Sequence, residues 1–227
     1  MLFSLALLAA SYATGATALV YGVDSSQLVS TATYTKAKGE GFTKAIIRGY
    51  EEACGVGGQV DPNFVSTYNN ARSAGITNID TYWFPCTGSG NSCKSFATQI
   101  AELGAVFDAH SMKIGTIWVD MEKDSVCNPW NYGSSGNLSK AKSMLSAMQA
   151  SGYNFGIYSS SGEWSSIFGS YGVVLDSSLP LWFANWNNAE NLSNPTAFGG
   201  WSSSRTVGHQ YTDVSASGLF DLNVFAN

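Results

Sequence analysis

What most restricts the fold of this chain is the order of its apolar runs, in which strand-like segments alternate with segments of helical period. Leu19–Asp24, Lys44–Tyr50, Ile76–Phe84, Thr116–Asp120 and Tyr153–Ser159 are short runs rich in β-branched and aromatic residues, the composition of buried or half-buried strands. Between them, other stretches repeat at helical spacing. Asp61-Pro62 offers a helix cap and a proline at the first helical position, with Phe64, Val65, Tyr68 and Ala71 on the inner face and Gly75 beyond the end. Phe96, Ile100, Leu103 and Phe107 make a second helix; Leu138, Ala141, Leu145 and Met148 make a third, capped by Asn137 and stopped at Gly152. After Ser159 the helical pattern fades, and Leu181–Trp186, Thr206–Thr212 and Leu219–Phe225 read as strands joined by Ser-, Asn- and Gly-rich loops. Alternating β and α segments call for a parallel sheet covered by helices. No Gly-rich dinucleotide fingerprint follows the first strand, so a doubly wound sheet fits less well than a barrel. The expected fold is α/β, an irregular (β/α) barrel of the TIM-like type with helices missing in its second half. With 227 residues, no internal repeat and no linker, residues 19–227 are expected to form one barrel domain.

In such a barrel the strand C-termini share one face, where functional side chains collect. The strand ends are then Asp24, the Tyr50-Glu51-Glu52 corner, Tyr82 and Trp83, Asp120 and Glu122, Tyr158, Trp182 with Trp186, Gln210, and Asp221. Acids and aromatics dominate. In Trp118-Val119-Asp120-Met121-Glu122 the two carboxylates are two residues apart, so along an extended strand they project to one side with Cα atoms about 7 Å apart. Paired carboxyl groups in a dry place repel, and one can keep a proton near neutrality while the other ionises. Glycosidic-bond cleavage needs that division of labour, and flat aromatic faces suit sugar rings. A D-x-E at a strand end is also what a solvated rim leaves, Asp24 could merely cap a turn, and Asp221 with Asn223 could fix one. Asp80, two residues before Tyr82, is either a site member or a buried structural acid.

Composition removes other classes. A net charge of -5, a charged fraction of 12% and the lack of any Lys/Arg cluster would repel phosphate backbones and anionic lipid, so neither a nucleic-acid nor a membrane partner is expected. Met1 to Ala18 reads as a secretory leader, an apolar core followed by Ala16-Thr17-Ala18, although its start lacks Lys and Arg. Cys54, Cys86, Cys93 and Cys127 then enter an oxidising compartment, where three pairings are open. Cys86 and Cys93 could close a local loop, which would leave Cys54 with Cys127. Zinc fits poorly, since no C-x-x-C is present and His110 and His209 lie in no ligand pattern; no metal and no cofactor are expected. Asn137-Leu138-Ser139 and Asn191-Leu192-Ser193 match the glycosylation sequon.

Set in order, these segments resemble glycoside hydrolase family 25, the lysozyme family that includes the Chalaropsis-type muramidases, and within it the secreted amoeba- and invertebrate-type branch. The resemblance runs from Tyr21 to Phe225. It rests on Tyr21-Gly22-Val23-Asp24-Ser25-Ser26, Asp80-Thr81-Tyr82-Trp83-Phe84-Pro85-Cys86, Trp118-Val119-Asp120-Met121-Glu122, Gly156-Ile157-Tyr158-Ser159-Ser160, Leu181-Trp182-Phe183-Ala184, His209-Gln210-Tyr211 and Phe220-Asp221-Leu222-Asn223-Val224-Phe225. His209 departs from the family, which usually has Trp before Gln-Tyr.

The resemblance implies hydrolysis of the β-1,4 bond between N-acetylmuramic acid and N-acetylglucosamine in bacterial peptidoglycan. Glu122 matches the general acid/base, Asp120 its partner, as nucleophile or as stabiliser of the substrate's acetamido group, and Asp24 and Asp221 the flanking aspartates. Tyr82, Trp83, Tyr158, Trp182, Trp186, Gln210 and Asp80 are the expected substrate-binding residues. Two rivals stand beside this, a chitinase, which would need D-x-x-D-x-D-x-E where the chain has only the D-x-E half, and a catalytically silent wall-binding barrel. A monomer is expected. A pI near 4.9 opposes approach to an anionic wall except in acid, which points to a secreted or lysosomal enzyme working in an acidic digestive compartment.

Overall fold

The computed structural model describes residues 18–194 and 196–227; the leader assigned to residues 1–18 lies outside them apart from Ala18. Eight strands close into a barrel: β1 (Leu19–Ser25), β2 (Lys44–Glu51), β4 (Asn78–Trp83), β5 (Ile117–Asp120), β6 (Phe155–Ser159), β7 (Leu181–Ala184), β8 (Thr206–Thr212) and β9 (Asp221–Ala226), with β1 pairing both β2 and β9. A two-residue strand, β3 (Gln59–Val60), folds back onto the end of β2. Neighbours from β1 through β8 are parallel, but β9 is antiparallel to both β8 and β1. That reversal corrects the way the sequence brings Asp221 to the rim. It is the first residue of β9, and it lies opposite Asp24 because the strand runs the other way.

Helices α1 (Thr31–Gly39), α2 (Phe64–Ser73), α3 (Phe96–Ala109), α4 (Gly133–Ser151) and α5 (Ser161–Phe168) follow the first five barrel strands, and among the described residues between β7 and β8 the one helical element is a 3-10 turn, Ser203–Arg205. Helices are thus absent late in the barrel, one unit later than expected. α1 and α5 are the unforeseen ones. In α1 only Tyr34 and Ala37 are buried, too few for a periodic signal, and in α5 one short turn carries Trp164, Ile167 and Phe168 inward from a Ser-rich start. Among the described residues no helix is long and apolar enough to cross a membrane.

The Asn137 cap is also corrected. α4 begins at Gly133, and Asn137 sits in its first turns with its side chain buried, Nδ2 donating to Trp130 O at 2.6 Å and Ile167 O at 2.8 Å. A glycan cannot be attached to an amide nitrogen so engaged in the folded chain, whereas Asn191 is exposed.

Strand alternation separates two apolar masses. Outward residues such as Ile47, Trp83, Ile117, Val119, Ile157 and Phe183 pack under the helices, while Ile46, Trp118, Tyr158, Trp182 and Phe225 fill the barrel. Gly156 is required here, because a Cβ there would collide with the Trp118 ring. Two expected binding residues are corrected by this geometry. Trp83 is adjacent to Tyr82 and therefore faces the other way; it is fully buried against Phe96 and Phe155, with Nε1 donating to Gln99 at 3.1 Å. Asp80 points inward but deep, at the opposite end of β5 from Asp120: it accepts from Thr116 N at 3.0 Å and Trp118 Nε1 at 2.8 Å and pairs with Lys44 Nζ at 2.6 Å. It is a buried structural acid. Asp80→Asn would strand a buried ammonium and is expected to cost about 3–5 kcal/mol in denaturant unfolding; an unchanged midpoint would mean the ion pair holds nothing.

The cysteines pair as Cys54–Cys127 and Cys86–Cys93. The first ties the loop after β2 to the loop after β5 and closes a 73-residue separation. Replacing both of its cysteines by Ser is expected to lower stability by about 4 kcal/mol on chain entropy, read by thermal or urea unfolding.

Candidate active site

β1, β4, β5, β6, β7, β8 and β9 each deliver a side chain to one small cleft of about 110 Å³, lined by Asp24, Tyr82, Asp120, Glu122, Tyr158, Trp182, Gln210 and Asp221. Regular pairing of β5 stops at Asp120, yet Met121 stays extended, its N donating to Tyr158 O at 2.9 Å and its O accepting from Ser159 Oγ at 2.8 Å. The alternation therefore persists one step past the strand and sets Glu122 on the same side as Asp120. Glu122 also lines a neighbouring groove of about 280 Å³ with Ser160, Glu163, Ala184, Asn185 and Trp186. Trp186 is the exposed aromatic of this face, 57% open to solvent. A larger cavity of about 440 Å³ lies beside the Cys86–Cys93 loop and α4, and its lining holds no carboxylate.

Gln210 organises the acids. Its Nε2 donates to Asp24 Oδ2 at 3.0 Å and Asp221 Oδ2 at 3.3 Å, while its Oε1 accepts from Tyr158 OH and Trp186 Nε1, both at 2.9 Å. Those two donors fix which way the amide faces. Asn223 repeats the device, donating to Asp24 Oδ2 at 2.7 Å and accepting from Trp182 Nε1 at 2.8 Å. Among the described residues, Asp24 is thus held by two amides and no cation, and Asp120, 7% exposed, has an Oδ1 with no donor.

Burial without neutralising partners raises these carboxyl groups. Burial, with the Asp221 charge adding, pushes Asp24 up to about 8 against the hydrogen bonds from Asn223 and Gln210. Burial raises Glu122 to about 7; Glu163 and Asp221 add to the rise and the Tyr158 hydroxyl opposes it. Asp221 rises to about 6 through burial and the nearby Asp213. Asp120 lies well above the carboxylate range, from burial first and then Glu122, Glu52 and Asp24, with Arg48 pulling the other way. The cluster cannot hold all its negative charges at once, so its protons are shared.

Three participants stand outside the expected catalytic and binding residues, although Glu52 is one of the strand-end acids and Asn223 the residue paired with Asp221 in the sequence. Arg48, inward like Ile46, binds Asp61 and Glu51 at 2.6 and 3.0 Å beneath the rim. Asn223 shares the inward face with Asp221. Glu52, 3% exposed, has no donor to either oxygen among the described residues. Burial and the adjoining Asp124 push it up to about 9; burial works against the Asp124 carboxylate, but the neighbouring Glu52 and the N–H groups of Cys127, Val126 and Asn128 hold it below the usual range. His209, by contrast, faces away from the cleft: it is fully buried, stacked on Phe183, with its ring nitrogens 2.6 Å from Asn191 O and 2.8 Å from Asn185 O. The departure at this position bears on the groove only through the 185–191 loop, whose Asn185 O the ring holds and whose Asn185 and Trp186 line the groove.

A family model described as Lysozyme-like protein 1 matches residues 15–211. Among curated relatives, Probable GH family 25 lysozyme 4 of Dictyostelium discoideum is 35% identical over 208 residues, 91% of this chain and 90% of that protein. Lysozyme-like protein 5 of Caenorhabditis elegans is 37% identical over 199 residues, 86% of this chain and 84% of that protein. The fold is also that of a family GH25 lysozyme from Aspergillus fumigatus, with a TM-score of 0.68 at 18% identity over 92% of this chain and 95% of that one, and of the bacterial lysozyme from Streptomyces coelicolor, with 0.62 at 20% over 92% of each. On the family match and on these relatives, the chain belongs to the glycoside hydrolase family 25 lysozymes.

Proposed function

We propose that this enzyme is an N-acetylmuramidase that cleaves the β-1,4 bond between N-acetylmuramic acid and N-acetylglucosamine in peptidoglycan. The observation that carries the reading is a half-buried acid, Glu122, standing where a small acidic cleft meets an open, aromatic-edged groove. Raised to about 7, Glu122 holds a proton below neutrality and gives it to the departing glycosidic oxygen, then takes one from the incoming water. Trp186 offers its exposed face to a sugar ring and Tyr82, Tyr158 and Trp182 wall the cleft. The partnerless Asp120 Oδ1 favours the second of its two possible roles. A buried acceptor with no donor suits the N–H of a substrate acetamido group, whose carbonyl oxygen then bonds to the anomeric carbon as the bond to the leaving oxygen breaks. Water reopens that ring, and the product keeps its anomeric configuration.

Purified peptidoglycan incubated with the protein should yield soluble fragments. Protein that sediments with the wall and releases nothing would favour the silent binding barrel, and release from chitin alone would favour the chitinase. The raised acids also support an acidic working compartment, secreted or lysosomal. Lysis is expected to peak below pH 7, and a peak above neutrality at moderate salt would oppose that assignment.

A further inference from the structure

The start of α5 departs from its own local pattern. Ser160 caps the helix, its Oγ accepting from Glu163 N at 3.0 Å, and a Glu three residues after such a Ser ordinarily reaches back to the cap's own N–H. Glu163 does not. Its Oε2 accepts instead from Lys123 N at 2.9 Å, and the Lys123 ammonium returns to Ser166 O at 2.9 Å. Two reciprocal bonds therefore clasp the residue following Glu122 to the first turns of α5. The same Glu163 carboxylate lines the groove together with Glu122. A helix-capping bond has been diverted to the backbone next to a catalytic acid, where β5 has already lost its strand pairing.

We infer that Glu163 is a positioning residue for the muramidase reaction proposed above: it anchors the Glu122 backbone at the mouth of the cleft and sets, through its charge, the pH range in which Glu122 keeps the proton it delivers. The inference rests on that reading. The groups around Glu122 are Asp120 on its own strand, Tyr158 on β6, Asp24 on β1, Asp221 on β9 and Glu163 on α5. Lys123, next in sequence, spends its ammonium on Ser166 O and not on Glu122. Of the charged neighbours, Glu163 is the one whose other contact is a backbone N–H, so its charge can be removed while that contact is kept.

Glu163→Gln does this, since the amide oxygen still accepts from Lys123 N–H; Glu163→Ala removes both. The kcat/KM profile on soluble glycan fragments of peptidoglycan, carrying both amino sugars, is measured for each. For Glu163→Gln the upper limb is expected to move toward acid by about half a pH unit or more. For Glu163→Ala the limb moves likewise and the maximal kcat falls about tenfold or more, with KM changing less than kcat. A parallel ¹³C titration of the Glu122 carboxyl reads the same shift without activity, so an inactive wild type would sink the muramidase reading while leaving this one measured. A Glu122 titration that is unmoved in Glu163→Gln overturns the inference, as does a Glu163→Ala variant whose maximal kcat matches that of Glu163→Gln. A purely structural helix cap would lower the melting temperature and leave the Glu122 titration in place.

Discussion

Glu122→Gln is expected to lose about 10²–10⁴-fold in kcat on peptidoglycan with little change in KM. The isostere keeps the volume, so the cleft it shares with Asp120, Tyr158 and Asp221 stays shaped for the glycan, but it has no proton to give. The variant should also fold as well as the parent above pH 7, because it deletes a charge that the cluster already disfavours. A loss shared equally between kcat and binding would say that Glu122 holds the sugar rather than reacts with it. Full activity in Glu122→Gln would move the acid elsewhere in the cluster.

Stability is expected to fall steeply as pH rises from 5 to 8, with the melting temperature dropping about 10 °C or more. Asp24, Glu122, Asp221 and Glu52 all bind protons more tightly folded than unfolded, at about 8, 7, 6 and 9. Below pH ~4 both states are protonated and nothing is lost. As pH climbs, the unfolded chain releases these protons first, so folding must take them up again, and stability declines until the folded groups also ionise. One pH unit of such mismatch on one group is worth about 1.4 kcal/mol, or about 2–4 °C per kcal/mol for a chain of this size. Asp24→Asn should flatten the curve and melt above wild type at pH 8, since the new amide oxygen still accepts from Gln210 and Asn223. A melting temperature that is level or rising from pH 5 to 8 would contradict the assignment of dry, cation-free acids.

Much of this was legible in the residues because strand alternation and carboxylate placement are local. Asp120 and Glu122 two apart, Tyr158 before Ser159 and Gln210 beside Tyr211 put polar tips at strand ends, and the barrel gathers strand ends by construction. Trp83 was misplaced although the same alternation excludes it: adjacent residues of a strand cannot both face the cleft, and Tyr82 takes that place. Asp80 was ambiguous for a different reason. Parity puts it inside, but depth along the barrel depends on stagger between strands, and its partner Lys44 is 36 residues away. Asp221 reached the site through a reversed strand, which no periodicity distinguishes from a parallel one. Glu163 is not legible because α5 itself is not; only the Ser-x-x-Glu spacing at 160–163 marks its start.

The central claim is that this cleft breaks the muramic acid–glucosamine bond through Glu122. The most direct test is to digest purified peptidoglycan at pH 5 with wild type and Glu122→Gln, reduce the new ends with borohydride and identify the sugar alcohol. The account predicts muramitol from the wild type and none above background from the variant. Glucosaminitol from the wild type, or muramitol released equally by both, would contradict it.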